Sequence, residues 1–182
     1  MHRITGDFDF EKCLISARPS RQFAMPDHPH DQRCPTASGR NQQEAPALSV
    51  ISPCYNDAGN VVELHRRLTD VCKSLSINYE ILLVDDGSPD NTWDAICALA
   101  KTDPCLRGIR LSRNYGHQLA VSAGLASASG RRVLIIDSDL QDPPELLPEM
   151  MRLMDAGADN VYGCRRRRMG VPLWKWACYK LF

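Results

Sequence analysis

The stretch YEILLVDDGSPDNT, residues 79–92, decides the fold class of this chain. Its apolar run, 79–84, has the length and composition of a buried strand. The polar residues behind it predict a turn, in which Ser88 and Asp90 are able to cap a helix. That helix is predicted over residues 93–100, WDAICALA. The stretch therefore combines a buried strand, a tight turn and a helix in that order.

The alternation of strand and helix continues on both sides of this stretch. The further predicted strands are 48–52, 106–112, 131–137 and 158–164, and the further predicted helices are 60–75, 117–128 and 144–157. The first helix has apolar positions at Val61, Leu64, Leu68, Val71, Cys72 and Leu75. Strands that are apolar throughout and separated by helices indicate a parallel sheet covered on both faces. We therefore predict an α/β fold with a Rossmann-like, mostly parallel sheet sandwiched by helices.

Composition separates an N-terminal extension from a single folded domain. Residues 1–46 are rich in Pro, His, Arg, Gln and Asp and lack the periodicity of helices or strands. Such a segment is typically disordered or loosely attached. Residues 47–182 contain all the predicted elements and are long enough for one domain with a core.

Charge, cysteine content and hydropathy narrow the class of protein. The chain has 22 basic and 22 acidic residues, so its net charge gives no reason to expect a nucleic-acid partner. Its eight cysteines are scattered without a CxxC pair, which favours reduced thiols in an intracellular protein. No apolar run approaches the roughly 20 residues of a membrane span, and the charged start is unlike a signal peptide. We therefore expect a cytoplasmic location.

Polar or charged residues follow every predicted strand that comes after the extension. These loops are PCYND (53–57), DDGSPD (85–90), SRNYGH (112–117), DSDLQD (137–142) and GCRRRR (163–168). In open parallel sheets, ligands bind beyond the carboxyl ends of the strands. Loops at one edge that share several carboxylates and an arginine cluster indicate a site for a metal and an anionic ligand.

Three other kinds of site are disfavoured, two by a missing motif and one by the position of its motif. No GxGxxG follows the first strand, and no GxxxxGK[ST] occurs in the chain. A haloacid-dehalogenase phosphatase has its Asp-x-Asp on the first strand, whereas this chain has the triplet on the fourth. What remains is a nucleotide site with acidic residues, in which a metal holds a diphosphate.

Asp137 and Asp139 are the predicted metal ligands. Side chains two positions apart on a strand point to the same side, so both carboxylates are able to converge on Mg²⁺ or Mn²⁺. A capped turn ahead of the next helix is the alternative, and it suits Asp142 before the prolines.

Taken together, these loops resemble glycosyltransferase family 2, which has the GT-A fold. The similarity is greatest to the branch of dolichol-phosphate mannose synthase and the bacterial polyprenyl-phosphate glycosyltransferases. It runs from about Leu48 to Phe182. The motifs that carry it, in order, are SVISPCYNDAGNV, YEILLVDDGSPDNT, LSRNYGHQLAVSAGL, IIDSDLQDPPE and VYGCRRRR.

The resemblance implies that the first three loops bind the nucleoside. Pro53 and Tyr55 lie where the family packs the base, and Asp85 lies where it hydrogen-bonds the base ring. Asp86 belongs to the same acidic pair and is expected to support the nucleoside or the loop. Asn114 is expected either beside the ligand or as a helix cap. Plain turn and core roles stay open for Pro53 and Tyr55, and an Asx turn for Asp86.

The resemblance assigns the phosphate side of the site to the later motifs. Asp137 and Asp139 match the metal-binding DxD of the family, and Gln141 matches a glutamine beside the metal. Arg165 matches an arginine that faces the phosphates, while 166–168 are open to a role as a solvated basic run. Asp139 and Arg165 are the expected catalytic residues, and Asp137 and Arg165 are also expected to bind the nucleotide sugar.

The implied reaction is inverting transfer of one sugar from a UDP- or GDP-sugar to a dolichyl or undecaprenyl phosphate. Such a polyprenyl phosphate is already an anion at neutral pH, with a second pKa of about 6, so it needs no general base. Mg²⁺ or Mn²⁺ at the DxD would neutralise the leaving diphosphate. The expected enzyme is a metal-dependent hexosyltransferase.

Two alternatives stay open. One is a non-catalytic, nucleotide-sugar-binding remnant, because relatives continue past Phe182 and the chain is expected to be truncated at its C-terminus. The other is a family 2 transferase with a saccharide acceptor.

The segment GVPLWKWACYKLF, 170–182, is amphipathic and suits either a membrane interface or packing on the sheet. We favour the interface, which predicts a peripheral protein at the cytoplasmic face of a membrane.

Overall fold

The computed structural model describes residues 8–11, 32–33 and 45–165. The chain divides into two compact units, 21–148 and 1–20 with 149–182. The strands are β1 (Phe8–Glu11), β2 (Gln32–Arg33), β3 (Leu48–Cys54), β4 (Tyr79–Asp85), β5 (Leu106–Arg110), β6 (Arg132–Ile135) and β7 (Tyr162–Arg165). The helices are α1 (Ala58–Ser74), α2 (Thr92–Thr102), α3 (His117–Ser127), α4 (Leu147–Asp155) and a 3-10 helix (Pro144–Leu146).

A five-stranded sheet forms the centre of the larger unit, in the order β2-β5-β4-β3-β6. Strands β3 to β6 are parallel, whereas β2 pairs antiparallel with β5. Strands β3, β4 and β5 lie side by side in chain order. The connection after β5 then crosses over, so that β6 pairs with the other side of β3. The strand order therefore reverses between β3 and β6, which is where open α/β sheets bind ligands.

Both faces of the central strands β3 and β4 are covered, so these strands are buried along their whole length, whereas Val133 and Ile135 of the edge strand β6 are exposed. Helix α3 covers one face and packs closely at Gly124, where an added Cβ would lie 2.4 Å from Ile51 Cγ2. The apolar cluster on this face consists of Ile51, Leu82, Val84, Ile109 and Ala120. Continuous apolar strands are what such double coverage requires.

Helices α1 and α2 lie on the opposite face. An added Cβ at Gly108 of β5 would lie 2.7 Å from Ile96 of α2, and α1 packs against α2. The buried residues of α1 are Val61, Leu64, Leu68, Val71 and Cys72. These are the predicted apolar positions except Leu75, which is the partly exposed C-cap. The predicted α/β sandwich with a mostly parallel sheet is confirmed.

Strand β4 contains one fully buried charge, Glu80. Its Oε1 accepts hydrogen bonds from the Ser49 hydroxyl and from the Ser129 amide and hydroxyl, each at 2.7 Å. Arg107 Nη1 lies 3.4 Å from Oε2. Burial by itself raises the pKa of Glu80, but the hydrogen bonds and the Arg107 cation outweigh burial and lower it below its ordinary value. Glu80 therefore joins β3 and β4 to the loop before β6 as an ionised carboxylate.

The smaller unit contains a two-stranded antiparallel sheet of β1 and β7, with Phe8 opposite Arg165 and Glu11 opposite Tyr162. The sequence predicts β7 as a further strand of the parallel sheet, and this prediction is wrong. An apolar run indicates a strand but does not specify its partner. The sequence also predicts neither β1 nor β2. That residues 1–46 are disordered or loosely attached stays a prediction.

Two predicted helix caps are wrong. The Ser88 hydroxyl accepts a hydrogen bond from the Asn56 amide instead of capping α2, although Asp90 does accept hydrogen bonds from the first residue of that helix. At the 3-10 helix the capping position is Pro143 and not Asp142. The N-cap of α2 is Asn91, three residues after Ser88, and that of the 3-10 helix lies one residue after Asp142.

One cysteine departs from the predicted reduced state. Cys97 is disulfide-bonded, whereas Cys54 and Cys72 are free thiols.

Within the described ranges, no helix is both long enough and apolar enough to span a bilayer.

Candidate functional site

A cleft of about 310 Å³ lies at the carboxyl ends of the parallel strands, where the strand order reverses. The lining residues are Pro53, Cys54, Tyr55, Asp57, Asp86, Asn114, Gly116, His117, Asp137, Ser138 and Asp139. Pro53 and Cys54 end β3, and the other lining residues come from the segments that follow β3, β4, β5 and β6. The structure thus brings together four of the polar loops that the sequence assigns to this edge.

Two buried hydroxyls accept hydrogen bonds that connect the loop after β3 to the turn after β4 and to the first residue of α2. Thr92 Oγ1 accepts a hydrogen bond from the Asp57 amide at 2.9 Å, and Ser88 Oγ accepts one from the Asn56 amide at 3.1 Å. Asn56 has a φ of 58°, a left-handed conformation that asparagine tolerates better than most residues. The position of the loop is therefore fixed by the protein itself.

The Asp-Ser-Asp turn after β6 presents two carboxylates to the cleft. Ser138 is only 4% exposed, while Asp137 and Asp139 on either side of it are exposed. Asp139 Oδ1 accepts a hydrogen bond from the Gln141 amide at 2.9 Å, which closes an Asx turn. Leu140 within this turn has a φ of 60°. The buried serine and the turn direct both aspartates into the cleft.

Asp57 connects this turn to the loop after β3. Its Oδ2 lies 2.5 Å from Ser138 Oγ and accepts a hydrogen bond from the Tyr55 amide at 3.2 Å. Its Oδ1 accepts a hydrogen bond from Asn60 Nδ2 at 3.3 Å. Although Asp57 occupies the N-cap of α1, its carboxylate makes no capping bond to that helix.

Asp86 holds the loop that precedes α3. Its two carboxylate oxygens accept hydrogen bonds from the Tyr115 amide at 2.8 Å and the Gly116 amide at 2.9 Å. The next residue, Gly87, has a φ of 66°, and an added Cβ would lie 2.4 Å from the carbonyl carbon of Arg113. The turn after β4 and the loop before α3 are therefore in direct backbone contact.

Asp85 is fully buried and does not line the cleft. Its Oδ1 accepts a hydrogen bond from the Ser88 amide at 3.1 Å. Its Oδ2 lies 3.2 Å from Arg110 Nε, an ion-pair distance, but has no hydrogen bond of acceptable geometry within the described part of the chain. Of the two neighbouring aspartates, Asp86 is the one that reaches the cleft.

The remaining predicted nucleoside residues do line the cleft. Tyr55 is 44% exposed and Asn114 is also exposed. Pro53, two positions before Tyr55, is buried. The N-cap of α3 is Gly116, so of the two roles left open for Asn114 the helix cap is wrong. His117, the first residue of α3, has its Nε2 3.8 Å from Asp137 Oδ1 and attracts that carboxylate when protonated.

The family resemblance predicts that Gln141 lies beside the metal and that Arg165 faces the phosphates. Gln141 donates its amide to the Asx turn and is not a lining residue of the cleft. Arg165 is the last residue of β7. Its side chain and the segments 166–168 and 170–182 lie outside the described residues, so their roles stay predictions.

The donor set of this cleft fits a magnesium or manganese ion that is shared with a phosphate ligand. No group of three or more His, Cys, Asp or Glu side chains is arranged to hold a metal ion in the part of the chain that the structure describes. Magnesium needs no such group, because it commonly binds through one or two carboxylates together with substrate phosphates. Asp137 and Asp139 are two exposed carboxylates of this kind.

Cys54 lies on the same cleft as an inert thiol. Burial, together with the negative charge of Asp57, raises the pKa of Cys54 to about 12. The thiol donates a weak hydrogen bond to the Ser52 carbonyl oxygen, with Sγ 3.5 Å from that oxygen. A protonated, buried thiol is a poor nucleophile, so Cys54 is a packing residue of the cleft.

Asp57 and Ser138 are the residues that sequence reasoning missed. They hydrogen-bond across 81 positions of the chain, and no local pattern records such a pairing. In the sequence, only the positions of these residues point to the site. Asp57 ends the loop PCYND, and Ser138 separates the two predicted metal ligands.

Comparison with known proteins gives a family for this arrangement. The sequence model of glycosyl transferase family 2 matches residues 49–181. The uncharacterized glycosyltransferase sll0501 of Synechocystis is 41% identical over 74% of this chain and 42% of its own length. The undecaprenyl-phosphate 4-deoxy-4-formamido-L-arabinose transferase of Serratia proteamaculans is 41% identical over 66% of this chain and 37% of its own length.

A solved structure, that of S. aureus TarS 1–349 in complex with UDP, is 31% identical with a TM-score of 0.49, over 60% of this chain and 32% of that chain. The chain spans only about two fifths of the length of the two relatives above.

Proposed function

This chain belongs to glycosyltransferase family 2, and we propose that it transfers a sugar, with inversion, from a UDP- or GDP-sugar to a polyprenyl phosphate. The proposal includes a requirement for Mg²⁺ or Mn²⁺. The observation that carries it is the pair of exposed carboxylates, Asp137 and Asp139, on either side of the buried Ser138 at the switch point of the sheet.

The diphosphate of the donor is assigned to the end of the cleft that contains these two aspartates. Asp137 and Asp139 would hold the metal ion, which supplies positive charge to the departing diphosphate. Without a cation, four cleft carboxylates would repel the donor. These are Asp57, Asp86, Asp137 and Asp139. The acidic lining itself thus supports a site that is loaded with metal before or together with the donor.

The nucleoside is assigned to the other end of the cleft. Tyr55 offers an exposed aromatic ring for stacking, and Pro53 lines the cleft two positions earlier. We assign contact with the base to Asp86 instead of Asp85, because both are buried but only Asp86 lines the cleft. Asn114 adds a polar side chain on the same cleft.

A lipid phosphate suits this cleft as the acceptor because it requires no general base. Its attacking oxygen is already anionic at neutral pH. The name of the Serratia relative, an undecaprenyl-phosphate transferase, supports the same acceptor class. Arg165, which resembles a phosphate-facing arginine, stays the proposed residue for balancing the second anion. The proposed location is the cytoplasmic face of a membrane, with 170–182 as a peripheral contact.

Calorimetric titration of the full 182-residue chain with UDP and with GDP tests the donor site. We expect binding in the presence of Mn²⁺ and its loss when the metal is removed. Asp139→Asn should weaken metal-dependent binding by at least about tenfold, the usual effect of disturbing a metal site. Asp94→Asn, which changes an exposed carboxylate in the first turn of α2, is the matched control and should bind as the wild type does.

No metal-dependent binding of either nucleotide to the wild type would refute the donor site. The acceptor is tested by incubating the chain with labelled nucleotide sugars and undecaprenyl phosphate in detergent. Label in the lipid is the expected result. Label in an added saccharide but not in lipid would identify a saccharide acceptor, and donor binding without transfer would identify a nucleotide-sugar-binding protein.

A further inference from the structure

Ser138, between the two proposed metal ligands, has a role that the donor site does not explain. Its hydroxyl oxygen lies 2.5 Å from Asp57 Oδ2 and 3.0 Å from the Pro53 carbonyl oxygen. A hydroxyl has one hydrogen, so it donates to only one of these acceptors at a time. The shorter contact is to a carboxylate, the acceptor that makes the stronger bond.

Asp57 is itself fixed from several sides before any ligand binds. Besides Ser138, its carboxylate accepts hydrogen bonds from the Tyr55 amide and from Asn60 Nδ2. Its own amide donates to the buried hydroxyl of Thr92. A carboxylate held in this way is a rigid anchor for whatever hydrogen-bonds to it.

The turn with the two aspartates needs such an anchor. Strand β6 ends at Ile135, so residues 137–139 lie beyond the ladder that ties β6 to β3. Leu140 completes the turn in the left-handed conformation, with a φ of 60°. Rotation of this turn by one position would bury an aspartate and expose the serine.

We propose that Asp57, acting through Ser138, is a positioning residue that holds Asp137 and Asp139 toward the cleft for a divalent cation. This inference rests on the proposed function, since it concerns the same metal site. Asp57 also ties the Tyr55 amide to this turn through the same oxygen, Oδ2. The nucleoside side and the diphosphate side of the cleft therefore share one anchor.

A matched control exists at the other end of β3. Ser49 is also buried, and its hydroxyl also donates to a carboxylate, that of Glu80, at 2.7 Å. Ser49→Ala and Ser138→Ala therefore each remove a bond from a buried serine hydroxyl to a carboxylate, the first between β3 and β4 and the second between the loops after β3 and β6. A role of Ser138 in folding alone would make the two variants behave alike toward metal.

Electron paramagnetic resonance of Mn²⁺, in the presence of UDP or GDP, measures metal affinity without any turnover. We expect Ser138→Ala and Asp57→Asn each to weaken Mn²⁺ binding by about 10- to 100-fold, the usual effect of losing an outer-shell partner. Ser49→Ala should leave the Mn²⁺ affinity unchanged. Equal losses in Ser49→Ala and Ser138→Ala, or no loss in Ser138→Ala and Asp57→Asn, would overturn the inference.

Amide hydrogen exchange of Gln141 gives a second readout in metal-free protein, because this amide donates to Asp139 within the turn. Exchange should be severalfold faster in Ser138→Ala and in Asp57→Asn than in the wild type and Ser49→Ala. If the wild type binds no Mn²⁺ with either nucleotide, the proposed function fails. The exchange then decides the positioning role alone, and an unchanged Gln141 amide in both variants overturns it.

Discussion

Replacing Gly87 by alanine should destabilise the protein more than any other glycine-to-alanine change in the turns around the cleft. Gly87 follows Asp85 and Asp86 at the end of β4 and has a φ of 66°, which disfavours residues with a Cβ. The added Cβ would lie 2.4 Å from the Arg113 carbonyl carbon, 2.7 Å from Arg113 Cα and 2.8 Å from the Asn114 amide nitrogen. All three atoms belong to the backbone, so no side chain is able to move aside.

Two terms give the size of the effect. The left-handed conformation costs an alanine roughly 1–2 kcal/mol. Forcing the backbone of the facing loop apart adds about 1–3 kcal/mol, as for an overpacked core. The sum, about 2–5 kcal/mol, is a large part of the roughly 5–15 kcal/mol that stabilises an ordinary domain.

Urea unfolding of Gly87→Ala and Gly59→Ala measures this difference. Gly59 lies in the first turn of α1 with no atom within 4 Å of an added Cβ, so alanine there should be neutral or stabilise by up to about 1 kcal/mol. With a urea m value of about 1–3 kcal/mol/M, the Gly87→Ala midpoint should fall by roughly 1–2 M. Equal midpoints for the two variants would show that the turn after β4 and the loop before α3 do not touch as described.

Two further predictions concern buried groups. The pKa of Glu80 is lower in the folded protein than its ordinary value of 4.5, so its ionised form stabilises the fold above that pH and the stabilisation is lost as the pH falls. Urea midpoints of the wild type should therefore drop below pH 4.5 more steeply than those of Glu80→Gln, and parallel curves would contradict the buried ion pair. Cys54, with its pKa raised to about 12 by burial, should resist iodoacetamide at pH values of about 8 until urea unfolds the protein. Peptide mass spectrometry measures this labelling, and equal rates in native and unfolded protein would disprove the burial of the thiol.

The order and type of the elements around the parallel sheet follow from the sequence. Strands that are buried on both faces are mostly apolar, so β3 and β4 stand out as near-continuous apolar runs although each contains buried polar residues such as Ser49 and Glu80. Helix α1 stands out by the spacing of its five buried residues. The partner of β7 does not follow, because a strand of only four residues fits an antiparallel pair as well as a parallel sheet.

The cleft is predictable by location and less so by individual residue. Side chains two positions apart point the same way, so Asp137 and Asp139 are both exposed while Ser138 between them is buried. The reversal of strand order places this turn beside the loop after β3. Asp85 and Asp86 are adjacent and chemically identical, so the sequence does not reveal which one faces the cleft. Asp57 is recognisable only in three dimensions, since its partner Ser138 lies on another loop.

Nuclear magnetic resonance of the isotopically labelled 182-residue chain, with UDP or GDP and substoichiometric Mn²⁺, locates the metal directly by paramagnetic broadening. We predict selective loss of the amide signals of 137–141, with weaker broadening at 55–57, and restoration of both in Asp139→Asn. Broadening that is absent from 137–141, or that persists there in Asp139→Asn, would contradict a metal and diphosphate site at Asp137 and Asp139.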